Sequence, residues 1–86
     1  MDDFLRFFNK KRETFPMHLN IFYSKAMDWN IIIYKIGCFD EYPDAERDET
    51  GNVIIARIES CCDMELAFAE AQVKLKDWLS EYEGGY

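Results

Sequence analysis

The chain has 86 residues, 49% of them apolar and 16% aromatic, with 17 acidic against 10 basic side chains and a net charge of −7. It is too apolar for a disordered tail, and no run of about 18 apolar residues could span a membrane. No basic stretch followed by an apolar one reads as a secretion leader, and the acidic balance argues against direct binding to phosphate backbones. One domain over residues 1–86 is expected.

Asp2 to Arg12 read as a short helix. Asp2 and Asp3 suit its N-terminus, and Lys10, Lys11 and Arg12 its C-terminus, because each end complements the helix dipole. Phe4, Phe7 and Phe8, with Leu5, make it apolar on one side. Two roles are open to the three rings: core packing, or a patch for a homodimer or docking contact. Pro16 forces a break before the next element.

Met17 to Ser24 alternate, with Met17, Leu19, Ile21 and Tyr23 on one face and His18, Asn20, Phe22 and Ser24 on the other, as in a half-buried strand. Trp29 to Ile36 form a second strand. Its consecutive Ile31, Ile32 and Ile33 mark it as the central one. Cys38 to Asn52 read as a polar loop, and Asn52 to Ser60 as a third strand, with Ile54, Ala56 and Ile58 on one face and Val53, Ile55, Arg57 and Glu59 on the other.

Asp63 to Glu81 carry the strongest pattern. Met64, Ala67, Phe68, Ala71, Leu75, Trp78, Leu79 and Tyr82 recur at the three- and four-residue spacing of one helical face. Ser60 or Asp63 would cap this helix, Glu70 and Lys74 are spaced to pair, and Gly84 and Gly85 end it. The order is α-β-β-β-α. An α+β fold is expected, with a three-stranded antiparallel sheet and the long C-terminal helix packed on one face.

Charge is segregated along the chain. Residues 1–38 hold four acids and six bases, whereas residues 39–86 hold thirteen acids and four bases. Asp40, Glu41, Asp44, Glu46, Asp48 and Glu49 crowd the loop, and Glu59, Asp63 and Glu65 lie at the following strand end and helix start. Two roles are open here as well: a solvated loop, or a negative surface that steers a basic partner. Asp44, Glu46 and Asp48 share the spacing that opens a calcium loop, but Glu49 and Ile55 stand where that loop needs Gly and Glu.

Cys38, Cys61 and Cys62 are odd in number and two are adjacent, so free thiols in a reducing cytoplasm are expected. Zinc would need four ligands, and His18 is the sole histidine, so no metal or other cofactor is expected. A thiol nucleophile at Cys61 or Cys62 would need His18 to meet it in the fold, and acidic neighbours oppose the thiolate. With no Ser-His-Asp order or glycine-rich phosphate loop, the chain is expected not to be an enzyme.

The α-β-β-β-α order resembles that of double-stranded RNA-binding domains. That family grips phosphates with a lysine-rich run at the start of its last helix. The matching stretch here, Asp63-Met64-Glu65-Leu66-Ala67-Phe68-Ala69-Glu70, has three acids and no lysine, so the RNA-binding role does not carry over. The order, size and acidity are also similar to small phage-encoded anti-CRISPR proteins. Met64 to Gln72, Trp78-Leu79 and Gly84-Gly85-Tyr86 read like small phage proteins in general. Some anti-CRISPR proteins block Cas9 by placing carboxylates where the protospacer-adjacent DNA would bind. The resemblance implies a non-enzymatic inhibitor in the cytoplasm of a bacterial host cell. Its partner would be a basic nucleic-acid-handling defence protein such as a Cas nuclease, with neither nucleic acid nor membrane bound directly. The alternative is a small assembly or adaptor protein that docks through Phe4, Phe7 and Phe8.

Overall fold

The computed structural model describes residues 2–36 and 42–85. The element order is α1 (Asp2–Lys11), β1 (His18–Ser24), β2 (Asp28–Lys35), β3 (Val53–Cys61) and α2 (Met64–Tyr82). The strands form one open antiparallel sheet in the order β1-β2-β3, with β2 at its centre. The fold is therefore α+β, in the order read from the sequence. A short axis of 18 Å fits one sheet layer under one helical layer. No helix among the described residues is long and apolar enough to cross a membrane.

The 3–4 periodicity of α2 becomes its buried face. Ala67, Phe68, Ala71, Leu75, Trp78 and Leu79 are buried, and Met64 and Tyr82 flank them half-covered. Asp63 is the N-cap, its Oδ1 accepting from the backbone N–H groups of Glu65 at 2.9 Å and Leu66 at 3.2 Å. Such a cap contributes about 1 kcal/mol. Beyond the last turn, Gly84 and Gly85 take positive φ, and the Gly85 N–H donates to the Leu79 carbonyl at 3.1 Å.

α2 crosses β3 and β2, and α1 packs on α2 rather than on the sheet. Phe4 and Phe8 are buried there, with the Phe4 ring 5.5 Å from that of Phe68. Phe7 stays half-buried, the Lys76 ammonium 5.1 Å from its ring centroid. The three rings therefore do not form one exposed contact patch: two of them belong to this chain's own core.

Strict alternation on β3 is corrected by a bulge. Ile33 pairs with Ala56 but Tyr34 pairs with Ile54, which leaves Ile55 as an extra residue. The phase flips there, so Val53 and Ile55 join Ala56 and Ile58 in the core while Ile54 lies opposite Tyr34, outside the main cluster. A second irregularity precedes Cys61, where Ser60 sits at φ 55° and its N–H donates to Asn30 Oδ1 at 3.3 Å. The same Asn30 reaches back to the Met27 carbonyl at 3.0 Å, tying the β1–β2 turn to the end of β3. Asp28, at φ 56°, supplies the left-handed residue that this turn needs without an Asn-Gly pair.

Candidate acidic interface

Residues 42–52, ahead of β3, form a loop that is anchored rather than freely solvated. Tyr42 and Ala45 are buried. The Tyr42 ring meets Trp78 at 5.0 Å and Tyr82 at 6.1 Å, and its hydroxyl donates to Glu83 Oε2 at 2.7 Å. The Trp78 indole N–H, buried in this aromatic group, finds no hydrogen-bond acceptor among the described residues. From the Tyr42 anchor the chain runs back along β3. Arg47 bridges to Val53, and the Ile54 N–H donates to the Glu46 carbonyl at 2.8 Å. These bonds place Glu46 over the outer edge of β3.

Arg57 on β3 stands between two carboxylates, 3.4 Å from Glu46 and 3.5 Å from Glu59. Each exposed pair contributes only ~0–1 kcal/mol, so the arrangement matters for where charge sits more than for stability. Lys74 does not pair with Glu70 as the helix spacing suggests. Its ammonium donates instead to the Arg57 carbonyl at 3.0 Å, a backbone acceptor that the fold brings within reach. A shallow groove between the loop and α2 is rimmed by Glu46, Arg57, Lys74, Asp77 and Glu81, with Ile54 and Trp78 in its floor. Asp77 and Glu81 lie off the apolar face of α2, and the folding-back of the loop is what brings Glu46 beside them.

The remaining acids separate by role. Asp48 is structural. Its Oδ1 accepts from the Thr50 N–H, the Thr50 hydroxyl and the Asn52 N–H, each at 2.9 Å, and its Oδ2 from the Asn52 side-chain amide at 3.2 Å. Desolvation pushes its carboxyl upward. The backbone and side-chain donors of Asn52 and Thr50 outweigh that and hold it below the usual carboxylate value. A carboxylate with a lowered folded-state pKa stabilises the fold above its unfolded value, and that contribution disappears as pH falls through the folded value. Asp48→Asn is therefore expected to lower stability near neutral pH, with the gap to wild type closing in acid. Urea midpoints collected down the acid limb check this; a gap that stays constant with pH contradicts it.

Asp44 and Glu49 are exposed on the loop, and Glu65 is exposed in the first turn of α2, next to the capping Asp63. Asp40, Glu41 and Cys38 lie outside the described residues. Among the described residues no three His, Cys, Asp or Glu side chains converge on a metal position. Cys61 is half-buried, its thiol donating to the Asp63 carbonyl at 3.3 Å, and Cys62 is exposed. His18 stacks on Tyr34 at 5.2 Å. Cys61 pairs with Trp29 and His18 with Tyr34, five residues apart on β2 and hence roughly 17 Å along the strand. The geometry brings no histidine to either described thiol. No family model, curated protein or solved structure matches the chain.

Proposed function

We propose that this protein is a non-enzymatic inhibitor that binds a basic nucleic-acid-handling protein, a Cas effector being one such target, by presenting carboxylates where phosphates would otherwise sit. The observation that carries this reading is the one-sided placement of charge. Glu46, Glu59, Asp77 and Glu81 gather along the β3 edge and the adjoining face of α2, outnumbering Arg57 and Lys74 between them, with Glu65 beyond the strand end. The opposite edge, β1, carries no acidic residue. A field concentrated on one flank orients a partner during encounter, whereas the same charge spread evenly would only aid solubility.

The test is binding to purified basic nucleases, Cas9-type effectors among them, across a salt series. Affinity is expected to fall steeply as screening shortens the reach of the charges. The double reversal Glu46→Lys and Glu81→Lys is expected to weaken binding by roughly 10- to 100-fold, mainly through slower association. Asp48 is left intact in this test because its loss would disturb the loop itself. Binding that ignores both salt and charge reversal overturns the proposal.

A further inference from the structure

The two edges of the sheet are built differently. The β3 edge is occupied by the Arg47–Val53 bridge, the bond from the Ile54 N–H to the Glu46 carbonyl, and the Lys74 ammonium on the Arg57 carbonyl. The outer edge of β1 pairs with nothing among the described residues. Edges left open are normally protected by a lysine, a proline, a bulge or a covering element. β1, His-Leu-Asn-Ile-Phe-Tyr-Ser, contains no lysine or proline, and its register against β2 runs without a shift from His18 to Ser24. Neither helix lies over it. Three consecutive strand residues are left open as a result: Ile21 at 41%, Phe22 at 50% and Tyr23 at 53% exposed. Leu19 packs against the core and Tyr23 lies 5.0 Å from the Trp29 ring, yet from Ile21 to Tyr23 the strand still shows apolar surface on both faces, which packing within this chain leaves open.

We propose that β1 pairs antiparallel with β1 of a second copy, about a two-fold axis through Ile21, to make a continuous six-stranded sheet. The charge pattern selects this occupant. With Ile21 on the axis, Leu19 lies opposite Tyr23, Asn20 opposite Phe22 and His18 opposite Ser24. Lys25, the one formally charged side chain from Met17 to Lys25, meets Met17. No like charges face each other, a condition that the acidic flank of a chain of net charge −7 could not meet against its own copy. The two acidic flanks end on outermost strands about 24 Å apart, more than two Debye lengths at ~0.15 M salt. Ile21 and Tyr23, left uncovered by the helices, gain the partner's Ile21 and Leu19 as neighbours on the same face. The pairing also satisfies the free backbone groups of the edge.

The contact is short, so a weak dimer is expected, with a dissociation constant of about 10–100 μM. Sedimentation velocity on the intact protein from about 5 to 500 μM brackets that range. The expected result is a monomer–dimer equilibrium nearly independent of salt, unlike binding through the acidic flank. Ile21→Lys sets two ammonium groups face to face on the axis and is expected to weaken dimerisation at least ~10-fold with an unchanged thermal melt. Should that variant fold poorly, amide exchange on the wild-type chain decides instead: protection of the β1 amides must rise with protein concentration. A monomer at every concentration, a dimer indifferent to Ile21→Lys in a folded variant, or β1 protection that does not depend on concentration overturns the proposal. None of these outcomes bears on the acidic-flank reading, which concerns the other edge.

Discussion

Phe4→Ala is expected to remove about 3–5 kcal/mol, the usual range for deleting a buried phenyl ring. A domain of 86 residues has roughly 4–13 kcal/mol in all, so the change takes about a quarter of the total at the least. The ring is 1% exposed and lies against Phe68 and Phe8, with centroids 5.5 and 6.1 Å away. The position of α1 makes the result informative. Its backbone approaches α2 and none of the strands, so undocking of α1 is a separate route by which the loss can appear. If undocking is coupled to global unfolding, the urea midpoint falls by the full amount. If it is not, amide exchange in α1 accelerates while β2 and β3 stay protected. Phe7→Ala is the internal comparison: its ring is half-buried and is expected to contribute roughly 1 kcal/mol. A Phe4→Ala variant with neither a shifted midpoint nor accelerated exchange in α1 would contradict the docking described for α1.

The same helix illustrates what sequence could and could not say. Spacing showed that Phe4 and Phe8 share a side, because helical periodicity is local. It left open whether that side met the sheet, α2 or another chain, because the choice depends on where α2 leaves room. The face of α2 is legible almost residue for residue for the same local reason, whereas its cap stays open between Ser60 and Asp63 in the sequence and falls to Asp63 in the fold. β3 was different. Its bulge at Ile55 is set by pairing with Ile33 and Tyr34, some twenty residues earlier, and a period-2 pattern has no means of skipping a residue. Lys74 likewise had an acid at the right helical spacing, yet the Arg57 carbonyl took it. The acidic flank was half legible. The charge run located Glu46 and Glu59 by composition alone, whereas Asp77 and Glu81 belong to it only because Tyr42 folds the loop onto α2.

That dependence makes Tyr42 the residue whose replacement should link stability to the proposed function. Tyr42→Ala is expected to cost about 3–5 kcal/mol, by analogy with other large aromatic deletions, since it empties the space beside Trp78 and Tyr82. Tyr42→Phe keeps the ring and removes only the hydroxyl bond to Glu83, whose exposed carboxylate can turn to water. About 1 kcal/mol is expected from that change. The two variants should also diverge in the loop. In Tyr42→Ala the Tyr42 carbonyl no longer has a fixed position from which to accept the Arg47 guanidinium, now at 3.2 Å, and the Ala45 N–H, also at 3.2 Å. The bond from the Ile54 N–H to the Glu46 carbonyl should then open more often, read directly as faster exchange of the Ile54 amide. Neither substitution changes the net charge at neutral pH. If carboxylate placement rather than total charge drives binding, Tyr42→Ala weakens the basic partner's affinity in the fraction that remains folded, and Tyr42→Phe does not. Equal affinities for the two variants, with the Ile54 amide exchanging faster in Tyr42→Ala, would mean that the field of the whole chain suffices and that the position of Glu46 does not matter.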